Sequence, residues 1–267
     1  LGYYNVNVKN TIISKLNFIN KQFYKSQANS FSQTRQSPWA GWRGLIPYIK
    51  QIENNPIKVL DIGCGNGRFG QFLKNNTDRT IEYTGTDNSY ELLKIAQINN
   101  PNAENSIFTF LYQDLVSELL DDQFFSQHQN RYDLIVLFGI LHHIPSLTLR
   151  KRLLNSLGNS LNSNGLLVFT VWRFGELNRF ADKLVNPKNY SIDPQELEPG
   201  DYLVDWRTPL ERQTAQLANK KTFPVRYAHA VSTQETTKLL QNLPPVLTSF
   251  LADGKDNQTN HYWVVKK

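Results

Sequence analysis

The sequence predicts an α/β fold: a mostly parallel, seven-stranded sheet with helices on both faces and an antiparallel hairpin at its C-terminal end. Three observations predict it. Short, nearly continuous apolar runs alternate with helical stretches, the pattern of parallel strands buried on both faces. A glycine-spaced loop, Gly63-Cys64-Gly65-Asn66-Gly67, follows the first run at Asp61. The last two apolar runs, close in sequence, are joined only by the polar stretch 252–260.

The elements follow in order. Residues 9–26 carry apolar side chains at Ile12, Ile13, Leu16, Ile19 and Phe23, the spacing of an amphipathic helix with lysines on its outer face. Residues 28–47, rich in Ser, Gln, Trp and Pro, read as a loop with a short helix at most. Strands are expected at 57–62, 81–86, 107–111, 132–138 and 165–171, and helices at 68–76, 89–98 and 146–161. Pro187, Pro194, Pro199, Gly200 and Pro209 then break the rhythm, so 186–226 reads as an insertion over one end of the sheet. Residues 232–242 suit a helix, and 246–251 with 261–266 suit the closing hairpin. The division expected is a basic, aromatic segment at 1–56 and a core at 57–267 carrying a lid insertion at about 173–230.

A chain of 267 residues can bury a full core without covalent staples. Its one cysteine, Cys64, excludes an internal disulfide and a cysteine-based zinc site and fits a reducing, cytoplasmic compartment. No apolar run reaches membrane-spanning length and no signal peptide is visible. Leu stands first and Met is absent, which reads as a trimmed start that leaves a lost leader open. The net charge of +6 lies entirely in residues 1–57, where seven basic residues face Glu53 alone. A basic segment on a neutral core suggests a polyanionic partner; a solvated lysine-bearing helix is the plainer alternative.

Ligands of open α/β sheets bind beyond the carboxyl ends of the strands. Those ends carry, in order, the loop Asp61 to Gly67, then Asp87-Asn88, then Gln113-Asp114-Leu115, then Phe138 and His142-His143. Glycines let backbone N–H groups approach a ligand closely, and an acid after the second strand can accept hydrogen bonds from ribose hydroxyls. The dinucleotide fingerprint is disfavoured, because Arg68 stands where its third glycine would be and Asp61 precedes the loop. The ordered series resembles the class I S-adenosylmethionine-dependent methyltransferases. That resemblance implies their Rossmann-like fold and S-adenosyl-L-methionine as cofactor. It implies a methionine end cradled by Asp61, Gly63, Gly65 and Gly67, ribose at Asp87 and Asn88, adenine at Asp114 and Leu115, and Phe138 on the floor.

The flanks narrow the resemblance. Phe23-Tyr24, Phe31-Ser32-Gln33-Thr34-Arg35-Gln36-Ser37-Pro38-Trp39, Leu141-His142-His143-Ile144, Val171-Trp172, Asp201-Tyr202-Leu203-Val204-Asp205-Trp206, Arg226-Tyr227-Ala228-His229 and Tyr262-Trp263-Val264-Val265 occur in this order. Together they resemble the tRNA wobble-uridine carboxymethyl methyltransferases, which esterify 5-carboxymethyluridine in the anticodon. Asp205 replaces that family's usual Pro, Gln258 to Tyr262 separate a closing Asp-Asn from Trp263, and Arg173 to Glu176 replace its usual run. The resemblance implies a tRNA anticodon loop as substrate. It also raises a small zinc-binding activator subunit over an exposed sheet edge, and no membrane.

A carboxylate acceptor, ordinarily ionised near pH 7, needs no general base, only desolvation and alignment. Arg35 is expected to close the cofactor's carboxylate end. Arg173, Arg226 and His229 are expected at the substrate mouth, and His143 beside the transferring methyl. Trp39, Trp42, Trp172 and Trp206 suit base stacking, or else the insertion's own small core. Two other functions stay open at this stage. One is a class I methyltransferase of a small metabolite, lipid or natural product; the other is a non-catalytic binding subunit, against which the intact Asp61, Gly63, Gly65, Asp87 and Asp114 argue.

Overall fold

A computed structural model describes residues 8–124, 131–172, 178–207, 225–254 and 257–267. Its strands are β1 (Ile57–Ile62), β2 (Ile81–Asp87), β3 (Ser106–Tyr112), β4 (Tyr132–Leu137), β5 (Leu161–Trp172), β6 (Leu184–Val185), β7 (Asp201–Asp205), β8 (Val225–His229), β9 (Val246–Ala252) and β10 (Asn260–Lys266). The helices are α1 (Asn10–Gln33), α2 (Ile46–Ile49), α3 (Arg68–Lys74), α4 (Tyr90–Asn99), α5 (Leu115–Leu120), α6 (Leu147–Ser160) and α7 (Thr233–Leu240).

Seven strands form one sheet in the order β3-β2-β1-β4-β5-β10-β9. The first five pair in parallel and the closing hairpin is antiparallel, as the apolar runs predict. The two faces explain why those runs do not alternate with polar residues. Leu60, Ile62, Ile135 and Leu137 face one core, while Val59, Leu134 and Val136 face the other. Both faces are covered, so β1 and β4 are buried throughout except at Lys58 and, in part, Tyr132, both near their N-terminal ends.

Three elements differ from the sequence reading. First, α1 runs to Gln33, into the stretch read as a loop. No Pro or Gly interrupts it before Pro38, and packing against β8, α4 and α5 overrides its weak propensity. Second, α5 was not expected; Asp114 caps it, its carboxylate accepting from the Ser117 amide. Third, the proline-punctuated stretch holds a small antiparallel sheet, β6-β7-β8. In β8 all five residues are buried. Strand β5 also begins earlier than expected, continuing through Asn162 to Asn164 around an irregularity opposite β4.

Helix α1 sets the geometry of the site. On one side the Asn20 carboxamide oxygen accepts from the Tyr227 amide in β8 (2.7 Å). On the other, Asn17 and Lys21 donate to Asp114 at the start of α5, both at 2.9 Å. The small sheet is thereby held over the carboxyl ends of the main strands.

Candidate active site

A cavity of about 770 Å³ opens where those strand ends meet α1, the small sheet and the hairpin loop. The glycine loop forms its floor. Gly63, Gly65 and Gly67 all have positive φ, at 71°, 56° and 76°, a region where other residues are strained. Their surroundings differ. A Cβ on Gly63 would lie 2.1 Å from the Ile140 side chain, and one on Gly67 would lie 2.4 Å from the Asn100 amide nitrogen. A Cβ on Gly65 would meet nothing within 4 Å, so it would fill the cavity itself. The Gly65 amide donates to Asp87 (3.0 Å), and Asp87 also accepts from the Ser89 amide (2.9 Å). Burial raises the Asp87 carboxyl to about 6 despite these donors. Asp61 is buried beneath the loop and takes a hydrogen bond from the Tyr83 hydroxyl. Burial lifts it to about 7; the Tyr83 bond opposes the rise and nearby Asp87 adds to it. Two carboxylates thus stand ready for a cationic ligand whose charge would return them to the ionised state.

Asp61, Gly63, Gly65, Asp87, Asn88, Leu115, Phe138 and Arg35 all line this cavity. Two expected cofactor residues do not. Gly67 starts α3 behind the loop and is required there for its close approach to α4. Asp114 is turned away from the cavity. Its carboxylate binds Asn17, Lys21 and Ser117, leaving Gln113 and Leu115 at the lining.

At the other end the cavity meets an aromatic wall. The Arg226 guanidinium lies over Trp206 at 4.1 Å and over Trp172 at 4.8 Å. Arg226 is 4% exposed, and its Nε–H is buried without a hydrogen-bond partner. Burial lowers its pKa, and among the described residues no carboxylate pairs with it. His143 is also buried at this end. The Tyr227 carbonyl can only accept, so Nδ1 of His143 carries the proton and donates to it (2.7 Å). Its Nε2 then accepts from the Tyr24 hydroxyl (2.8 Å). Burial, aided by Arg226, depresses the imidazole to about 3, so it stays neutral. His142 packs against Trp172 in a tilted arrangement, ring centroids 4.7 Å apart, and is likewise held neutral by burial and by its His143 and Arg226 neighbours.

His229, expected at the substrate mouth, lies elsewhere. It is 1% exposed, with Nδ1 against Asp201 and Nε2 against Glu235, both at 2.7 Å. Arg150 completes this cluster through Glu198 and Glu235. The sequence stretch Arg226 to His229 is a strand whose alternate residues face different partners, so Arg226 and His229 cannot both face the cavity. Arg173 lies outside the described residues.

Several lining residues carried no sequence signal as site residues. Asn66, in the glycine loop, donates to the Ser32 hydroxyl and the Arg35 carbonyl, each at 3.1 Å. It thereby ties the cofactor loop to the end of α1. Arg68 lies over Trp42 at 5.5 Å, and burial lowers it to about 10. Asp253 accepts from the Gly41 amide (3.0 Å), Asn260 (2.9 Å) and the Tyr262 hydroxyl (2.6 Å), which closes the hairpin loop over the aromatic segment. The buried Asn66 and the positive φ of Asp253 emerge only from contacts far apart in sequence.

Comparison with known proteins agrees with this geometry. Residues 33–230 match the methyltransferase domain family. A fission yeast tRNA (carboxymethyluridine(34)-5-O)-methyltransferase is 25% identical over 186 residues, which cover 69% of this chain and 66% of that protein. The budding yeast enzyme of the same description is 28% identical over 239 residues, 88% of this chain and 71% of the relative. The mouse enzyme ALKBH8, so described too, is 28% identical over 151 residues, 57% of this chain but only 19% of its own length. The chain thus spans less than two thirds of several curated relatives. An S-adenosylmethionine-dependent methyltransferase of Methanosarcina mazei shares the fold at a TM-score of 0.57 and 18% identity, covering 83% of this chain and 97% of that one. So does the N-methyltransferase NodS of Bradyrhizobium japonicum in complex with S-adenosyl-L-homocysteine, at 0.53 and 13%, covering 88% and 90%. The glycine cradle open at Gly65, the two acids beside it and these matches agree: the chain belongs to the methyltransferase domain family and is an S-adenosylmethionine-dependent methyltransferase.

Proposed function

We propose that the protein methylates the carboxylate of 5-carboxymethyluridine at the wobble position of tRNA. The observation that carries this reading is Arg226, a buried guanidinium that lines the cavity, lies over Trp172 and Trp206, and pairs with no carboxylate among the described residues. Packed on the two indoles, it keeps a buried Nε–H without a partner, a donor suited to a planar anion. The yeast relatives named for this activity support the choice of acceptor.

S-adenosylmethionine, when bound, supplies an electrophilic methyl; the ester C–O bond forms as the C–S bond breaks, and the electron pair returns to sulfur. No proton is removed. The residues here match that requirement. Neutral His143 has both ring nitrogens committed, so it orients Tyr24 rather than acting as a base. Arg226 holds the acceptor carboxylate, Trp172 and Trp206 exclude water, and Arg35 faces the cofactor's carboxylate end. Alignment of this kind contributes about 7–11 kcal/mol to a two-reactant step. Trp206, 38% exposed at the mouth, offers a stacking face for an unpaired base. Arg173 belongs to the same mouth by sequence. A small zinc-binding activator subunit would cover edge strand β3, where Ile107, Leu111 and Tyr112 are exposed and Tyr90 stacks on Tyr112. Cytoplasmic residence accords with a tRNA substrate.

Mass spectrometry of tRNA nucleosides after incubation with methyl-labelled cofactor tests the reading. The expected product is an alkali-labile methyl ester on the wobble uridine. Label on a base ring atom, or transfer to a small metabolite with tRNA inert, would overturn it. Arg226→Lys should lower kcat/KM on the tRNA about 10- to 100-fold, because a lysine has no planar fork to lay on the indoles or to present to a carboxylate.

A further inference from the structure

A second hollow adjoins the acceptor end, an open groove of about 580 Å³ on the outer side of the chain after α1. One wall is the run Gln33-Thr34-Arg35-Gln36-Ser37; Arg68 stands opposite. Its polar side chains are thus two carboxamides, two hydroxyls and two guanidiniums, and no carboxylate lines it among the described residues. Arg68 donates to the Ser37 carbonyl (2.6 Å) and Arg35 to the Thr34 hydroxyl (2.9 Å), which fixes both guanidiniums along the groove. The two arginines are close enough that Arg35 depresses the Arg68 guanidinium, in addition to its burial. An anion between them would relieve that repulsion and accept from the neutral side chains of residues 33–37. The groove and the acceptor cavity share four walls, Arg35, Arg68, Trp39 and Trp206. A ligand that stacks a base on Trp206 therefore has the groove within reach of its own backbone.

We propose that this groove is a phosphodiester subsite, which holds the backbone of single-stranded RNA while the target base occupies the main cavity. The assignment rests on the tRNA reading above and deepens it. Lysines alone would give affinity without register; a fixed pair of guanidiniums beside the stacking tryptophan sets which nucleotide reaches the cavity.

Gln33, exposed on the groove wall and outside the acceptor and cofactor contacts, is the position to test. Gln33→Glu places an anion in the groove, and Gln33→Ala is the neutral control. Binding of a labelled anticodon stem-loop RNA is measured across a salt series, with cofactor affinity by calorimetry in parallel. Gln33→Glu should weaken RNA binding about tenfold and flatten the logarithmic salt slope by about 0.7, the loss of one single-strand phosphate contact. Gln33→Ala should change either by less than about threefold, and cofactor affinity should be unchanged in both. Equal RNA affinity in Gln33→Glu and the parent protein would overturn the subsite. So would an equal loss of cofactor affinity, which would assign the groove to the cofactor's carboxylate, and so would a parent protein that binds no RNA at low salt. If the RNA binds with the expected dependence but the wobble uridine gains no methyl, the subsite stands and the proposed acceptor falls.

Discussion

At the scale of single residues, identical residue types divide into different roles. Gly63, Gly65 and Gly67 share a left-handed backbone, yet only Gly65 faces open space. Gly65→Ala should therefore leave most stability in place, costing about 1–2 kcal/mol for its backbone conformation, and remove cofactor affinity by filling the cradle. Gly63→Ala should unfold more of the protein, because its Cβ collides with Ile140. Thermal denaturation beside calorimetric titration of the cofactor separates the two outcomes. The carboxylates give a second prediction. The raised pKa values of Asp61 and Asp87, about 7 and about 6, mean that both are largely protonated below pH 6 in the free protein. A cationic sulfonium cofactor favours their ionised forms, so its binding must release protons at low pH. Affinity should rise roughly tenfold or more between about pH 5 and pH 8, as calorimetry would show. An affinity independent of pH would mean that these acids do not meet the cofactor's charge.

At the scale of elements, α1 holds the parts together. The lysines of α1, with Lys9 just before it, invite assignment to a polyanion, but three of them have partners within the chain. Lys21 pairs with Asp114, Lys9 with Glu196, and Lys15 donates to the Ser191 carbonyl. Lys21 and Lys9 are only partly shielded, so each pair fixes position more than it adds stability. The polyanion reading moves accordingly from the helix to the arginines that follow it. A comparable tie joins α6 to the insertion. Arg150, fully buried, donates to Glu198 and Glu235 at 2.7 Å and to the Ile144 carbonyl at 2.8 Å. Burial opposes its charge, but the surrounding acids outweigh that and raise its pKa. Arg150→Met would leave Glu198, Asp201 and Glu235 without their main counter-charge. Denaturant titration should show a loss of about 3–5 kcal/mol, the usual result of removing one partner from a buried ionic cluster. A loss below 1 kcal/mol would show that the carboxylates neutralise by taking up protons instead.

At the scale of the whole molecule, the glycine loop and the aromatic wall around Arg226 meet across one cavity. The glycine loop, the acids after β1 and β2 and the parallel strands were legible in the sequence because each is local. A buried strand reads as an apolar run, and a close backbone approach needs glycine at a fixed spacing. The fold thus followed from periodicity, apart from the extension of α1, the short α5 and the small sheet. Those three depend on packing against residues far along the chain. The acceptor end was legible only in part. His143 and Arg226 line the cavity, while His229 joins Arg150 and Asp114 clamps α1.

The sequence by itself determined the strands of the sheet, the glycine loop and the class of chemistry, because these depend on residues within a few positions of one another. Only the tertiary structure decided which charges are free to act. A cation or acid has the same letter whether it faces solvent, a ligand or a buried counter-ion. Its role is set by what distant segments bring within about 3 Å, the range of a hydrogen bond. Arg226 met two tryptophans from other strand ends and, among the described residues, no acid, and Asp114 met Lys21 from α1. That difference in partners separates a residue available to the reaction from one that holds the fold.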